Sequence, residues 1–270
     1  MTYQFIALER RGAVALVLHN RPEMRNAESS HLLDEQDAAL RELAADDSVR
    51  VVVLGGKGDH FSAGHDLKEG QAKRQGFSVE QRWAYEEQRY LDYSLRIWDF
   101  PKPTIAMVQG ACIAGGLMLA WVCDLIVASD DAFFQDPVVR MGIPGVEYFA
   151  HAHELHPRIA KEFLFLGERM DAQRAYQMGM VNKVVPRAEL ADAVLAWARK
   201  IAQQPRLGLS LTKTVINKAE ELQGLRTTMD IAFGYHHFAH AHSQVLGAGA
   251  LGGQDARSMA RANKQDGSAQ

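Results

Sequence analysis

The stretch Lys102–Ser129, KPTIAMVQGACIAGGLMLAWVCDLIVAS, decides how the chain folds. It opens on a short apolar run, TIAMV, which suits a strand buried on both faces. A glycine-rich turn follows, LMLAW starts a helix, and DLIVAS returns as a strand. Strand, glycine turn, helix and strand in succession form the unit of an α/β fold. Two features of the stretch need a reason. The pair Gly115–Gly116 lets something approach the backbone closely. Met118 stands where a backbone-lined site invites an acid.

The same grammar extends on both sides. Residues 3–20, YQFIALERRGAVALVLHN, read as two strands joined by a turn at Arg11–Gly12. Residues 29–47 carry Leu33, Leu40 and Leu43 on one helical face. VRVVVLGG, residues 49–56, is a β-branched run ending in glycine, and a helix is expected over 78–98. From Pro157 onward the periods are helical, broken by a short strand in VNKVVP at 181–186. The Gly/Ala-rich tail after Gly247 reads as loose. We expect an α/β core over 1–200 and a helical C-terminal region over 201–270.

Bulk properties narrow the function classes. The 270 residues are 47% hydrophobic and 23% charged, enough for one sizeable core. A net charge of -3 argues against nucleic-acid or anionic-membrane partners. Cys112 and Cys123, the two cysteines, lie in apolar surroundings and read as buried thiols. No apolar run approaches the roughly 20 residues of a membrane span, and the first residues do not resemble a secretion signal, so a cytoplasmic protein is expected.

Two glycine turns stand out, Gly55–Leu67 (GGKGDHFSAGHDL) and Gln109–Leu119 (QGACIAGGLML). Backbone N–H groups at such turns are free to donate to an anion. Two adjacent turns supplying one donor each make an oxyanion hole without side chains. The other reading is two ordinary strand-to-helix turns. GGKGDH lacks the spacing of a phosphate-binding loop.

Five motifs together resemble the enoyl-CoA hydratase/isomerase (crotonase) superfamily, across nearly the whole chain. They are NRPEMRNA (20–27), FSAGHDL (61–67), Lys102–Ser129, MGIPG (141–145) and GERMDAQRAYQMGMVNKVVP (167–186). The resemblance implies a spiral of ββα turns with a helical C-terminal trimerisation region. It implies an acyl-CoA substrate whose thioester enolate is held by the N–H groups of Ala63 and Gly115. It places Met24, Arg25 and Ala27 along the CoA nucleotide, and His65, Asp66, Leu67, Met118 and Val138 along the substrate. Coenzyme A enters as part of the substrate, and no separate cofactor or metal is implied. A homotrimer or dimer of trimers is the implied assembly, with neither nucleic acid nor membrane as partner.

Relatives that hydrate enoyl-CoA use two glutamates, and here those positions are Met118 and Val138. Neither can activate water or deliver a proton. The resemblance therefore implies isomerase-like or other acyl-CoA chemistry in place of standard hydration. Glu147, in IPGVEYFAHAHE, is the substitute acid/base we expect, with His151 one helical turn on. A buried Glu147 beside an apolar pocket should carry a raised pKa. Its other reading is a helix N-terminal acid favoured by the dipole. Asp136 is a second carboxylate or a cap, Asp66 ties down its turn, and His65 reads as a loop histidine without a partner. Trp83, Tyr85, Trp98 and Trp121 are pocket or core aromatics.

YHHFAHAH carries His236 and His240 at a spacing that can bind metal, but no carboxylate in the same helix completes a set. A helix face at a subunit contact is the expectation there. A non-catalytic acyl-CoA-binding or scaffold protein remains the alternative to an enzyme, and an RNA-binding role lacks a basic stripe with interleaved aromatics.

Overall fold

The computed structural model describes residues 3–245 together with Ser258 and Arg261. The tail expectation past Gly247 lies outside the described residues, those two positions apart. A six-stranded sheet runs in the order β1 (Ile6–Arg11), β2 (Val14–His19), β3 (Val51–Gly56), β4 (Thr104–Val108), β6 (Leu125–Ser129), β9 (Lys183–Val185). Only β1–β2 is antiparallel, as the hairpin at Arg11–Gly12 requires; the other pairs are parallel. A three-stranded sheet joins β5 (Ala111–Ile113), β7 (Phe133–Gln135) and β8 (Met170–Asp171).

Every residue of β2, β3 and β4 is buried, because cores lie on both faces of the large sheet. Alternation sorts the side chains. Val14, Leu16, Val51, Val53, Ile105 and Val127 point to one face and meet Leu190, Val194 and Ala198. These three come from α9 (Leu190–Ala202). Ala15, Val17, Val52, Leu54, Ala106 and Val108 point to the larger core on the other face. There they meet Leu32, Leu40 and Leu43 of α1 (Ser30–Ala45), whose first turn is capped by the Ser29 hydroxyl.

The remaining helices are α2 (Leu67–Arg74), α3 (Val79–Glu86), α4 (Tyr93–Trp98), α5 (Gly115–Trp121), α6 (His151–Glu154), α7 (Pro157–Leu166), α8 (Ala172–Gln177), α10 (Arg206–Leu222) and α11 (Leu225–Val245). The expected single helix over 78–98 is interrupted: Glu87–Asp92 is π-helical between α3 and α4. Such a bulge re-aims its flanking side chains, and it often marks a functional site. Glu86 ends α3 just before it, and Tyr90 lies within it.

Helix α11 packs into the main core through Leu225, Met229 and Phe233, so this part of the C-terminal region is continuous with the core. Helix α10 buries none of its side chains and exposes Leu207, Leu211 and Val215. Among the described residues no helix is long and apolar enough to cross a membrane.

Candidate active site

The two glycine turns meet. Backbone bridges pair Ser62 with Cys112 and Glu28 with His65. Gly64 has φ +86°, and a side chain there would strike the Ile113 carbonyl at 2.6 Å and the Gly115 nitrogen at 3.2 Å. Gly115 is closed in more tightly still: a Cβ would lie 2.2 Å from Glu28 Oε2 and 2.6 Å from His65 Nδ1. Glycine is therefore needed there because Glu28, bridged to His65 of the first turn, brings an acid and an imidazole together onto the second turn. Ala114, just before Gly115, is held at φ 48°, ψ −109°. That backbone costs about 1–3 kcal/mol for a residue with a Cβ, and such strain gathers at functional sites.

The donors expected of an oxyanion hole differ. The Gly115 N–H, at the N-terminus of α5, makes no hydrogen bond among the described residues. The Ala63 N–H donates to the Arg25 carbonyl at 3.0 Å. Arg25 and Asn26 take left-handed backbone, φ 53° and 54°, which turns that carbonyl inward. Of the two expected donors, Gly115 alone stands open among the described residues; the expectation of two open donors is corrected by the Arg25 carbonyl.

A chain of buried ionisable groups runs past Gly115. Glu28 Oε1 accepts from the Ser62 hydroxyl at 2.7 Å, and its Oε2 lies 3.0 Å from His65 Nδ1. His65 Nε2 lies 3.2 Å from Glu147 Oε2. The His65 ring stacks on Tyr90, centroids 3.8 Å apart. Glu147 Oε1 is 3.6 Å from His236 Nε2, which is 3.5 Å from Glu86 Oε2. Arg74 and Arg82 hold the other oxygen of Glu86, at 2.8 and 3.3 Å.

This chain sets the charges. Burial alone pushes the His65 imidazolium down, but the Glu147 carboxylate and then Glu28 outweigh it and hold His65 up at about 10. Glu147 shows the reverse: burial raises it, while His65 and His236 bring it down to about 2. The expected raised pKa of Glu147 is thus overturned, because the pocket that buries it also supplies imidazolium partners. Glu147 lies in the loop between Gly142 and α6, not at a helix start. His65, read as unpartnered, is clamped on both nitrogens. Burial drives the Tyr90 hydroxyl well above its usual range.

The other expected residues take these places. Asp66 caps α2, accepting from the Glu69 N–H, and pairs with Arg21 at 3.1 Å. Leu67 opens α2 and packs on the core. Met24 and Arg25 are exposed at the rim of the first turn, with Ala27 half-buried beside them. Met118 is 1% exposed and Val138 9%, both in the apolar core, where neither offers a polar atom. His151 does not share a face with Glu147. It is fully buried against Asp136, 2.8 Å away, and Asp136 also accepts from the Val138 and Val146 N–H groups. Trp98 and Trp121 are core, whereas half-exposed Trp83 packs on Phe233 and His237. His236, His237 and His240 of α11 face inward while His242 is exposed, so a subunit-contact role for His236 and His240 is corrected by their burial.

Sequence reasoning missed Glu28, Arg74, Glu86 and Tyr90. Glu28 gives no local signal beyond standing next to the MRNA stretch. Glu86 and Tyr90 are four apart in a helical period, a spacing indistinguishable from an exposed face until α11 lies over it.

The enoyl-CoA hydratase/isomerase family model matches residues 9–252. A putative enoyl-CoA hydratase of Mycobacterium tuberculosis is 39% identical over 258 residues, covering 89% of this chain and 81% of that one. The crystal structure of a probable enoyl-CoA hydratase from Mycobacterium smegmatis superposes with TM-score 0.87 at 44% identity, covering 92% of this chain and 99% of that one. A probable enoyl-CoA hydratase from Mycobacterium thermoresistibile gives TM-score 0.85 at 45% identity, covering 90% and 99%.

Proposed function

This chain belongs to the enoyl-CoA hydratase/isomerase family, and from that premise we propose that it shifts a proton within a bound acyl-CoA instead of adding water to it. The observation that carries this reading is the pairing of an open Gly115 N–H with the Glu28–His65–Glu147 clamp on its α-carbon. The thioester oxygen accepts from Gly115 as negative charge develops on it. One such donor is worth about 3–4 kcal/mol of transition-state stabilisation. Glu147 takes a proton from the acyl chain and returns it at another carbon, so the double bond moves and no water is consumed. Held at about 2, Glu147 is a weak base, and the step leans on the enolate stabilisation and on the His65 positive charge beside it. Met118 and Val138 leave the other side without a group to activate water. Arg25, at the exposed rim, suits a CoA phosphate by charge and fork geometry. Binding there that draws the Arg25 carbonyl away frees the Ala63 N–H as a second donor.

A second reading, acyl-CoA binding without turnover, is favoured by the Ala63 N–H being already engaged. One experiment separates the two. The protein is incubated with short, medium and aromatic enoyl-CoAs, and products are followed by mass and by chromatography. A product of unchanged mass supports proton shifting; thermal stabilisation by every thioester with no product supports binding alone; rapid formation of a hydrated product refutes the proposal. The exposed Leu207, Leu211 and Val215 stripe of α10 suits a homotrimer or dimer of trimers, and light scattering that gives a monomer rejects that assembly.

A further inference from the structure

We propose that Glu86, His236 and His240 form a binding site for a divalent cation of the zinc class, buried behind Glu147. His236 and His240 are one turn apart on α11, and the carboxylate their helix lacks arrives from the last residue of α3. The three ligand atoms converge. His236 Nε2 is 3.1 Å from His240 Nε2; Glu86 Oε2 is 3.5 Å from the first and 3.8 Å from the second. A point equidistant from all three lies about 2.0 Å from each, the length of a zinc–imidazole or zinc–carboxylate bond. Two imidazole nitrogens and one carboxylate oxygen suit zinc, or cobalt as its stand-in, over magnesium or calcium.

Two independent observations point to a ligand. His236 Nδ1 donates to the Gly145 carbonyl at 3.1 Å, which turns Nε2 toward the centre. That outer hydrogen bond is the usual means of orienting a metal-binding imidazole. Glu86, 1% exposed, directs Oε2 to the same centre, and that oxygen accepts no hydrogen bond. Leaving such an oxygen unsatisfied is costly, and a cation removes that cost. The surroundings oppose each other in charge. Arg74 and Arg82 on Glu86 Oε1 weigh against a cation, while the Glu147 carboxylate, 3.6 Å from His236, weighs for it. His237 Nε2 is 3.6 Å from Glu86 Oε2 but outside the converging set, which makes it a control.

The test uses the full chain, stripped with a chelator and then dialysed against zinc or cobalt chloride. Elemental analysis should find one zinc per chain, and cobalt should give visible d–d absorption of a low-coordinate site. Both should fall to background in His240→Gln and Glu86→Gln, and persist in His237→Gln. Should the first two variants fail to fold, histidine side-chain NMR of the unaltered protein decides: zinc should shift the Nε2 resonances of two histidines. Absence of bound zinc in the folded protein, a cobalt spectrum that survives His240→Gln, or histidine resonances unmoved by zinc overturns the proposal. None of these readouts uses an acyl-CoA, so the result stands apart from the catalytic reading above.

Discussion

The two walls beside Gly115 are built from opposite chemistry. On one side Met118 and Val138 sit in the dry core and offer no polar atom. On the other, Glu28, His65, Glu147, His236 and Glu86 form an unbroken series of carboxylates and imidazoles, none more than half-exposed. The polar wall tolerates burial because its charges alternate and each is paired. The apolar wall has no such neighbours, so an isolated carboxylate there would be costly. The difference teaches that buried titratable groups gather where they find opposite charges, and that α5 and the turn after β7 offer none at Met118 and Val138. Here the buried carboxylates and imidazoles come from two loops, two helices and the turn before α2.

That contrast can be broken in order of expected effect. Gly115→Ala should hurt most, since its Cβ would lie 2.2 Å from Glu28 Oε2 and displace the clamp. Losing the oxyanion geometry should lower turnover of an accepted acyl-CoA by about 10²–10³-fold or more. A variant with unchanged kcat/KM would show that Gly115 does not border the reacting oxygen.

Glu147→Gln keeps the shape and removes the charge. It should lower kcat by about 10²–10⁴-fold while acyl-CoA binding, followed by calorimetry, stays nearly constant. An equal loss in Met118→Gln would move the chemistry back to the apolar wall.

The third test is pH. The folded-state value of His65, about 10, lies above its ordinary 6.5. Its ion pairing therefore stabilises the fold fully below about 6.5 and is lost as pH rises through about 10. Urea denaturation of the protein and of His65→Gln should show a stability gap that is largest near pH 6 and closes steadily toward pH 10. A gap that widens with pH would mean a neutral imidazole in the fold.

The smallest effect belongs to Met118→Leu. It conserves volume in an apolar site, so it should cost less than about 1.5 kcal/mol and leave kcat within experimental scatter. A large loss of kcat there would assign Met118 a direct role at the acyl chain.

The strands and most helices were legible in the sequence because each depends on local period and turn chemistry. The all-buried runs at 51–54 and 104–108, the hairpin at Arg11–Gly12 and the α1 face of Leu33, Leu40 and Leu43 are such cases. The glycine turns at Gly64 and Gly115 were legible as a pair, since glycine is needed where backbones touch. The apolar identities of Met118 and Val138, at the positions the resemblance gives to the hydratase acids, were legible too. What only the tertiary structure decided is which charges meet. His65 has partners 37 and 82 positions away, and Glu86 meets histidines more than a hundred residues downstream. Protonation follows those neighbours and not the residue type, so Glu147 ends as a firmly ionised carboxylate where its own sequence suggested a raised one.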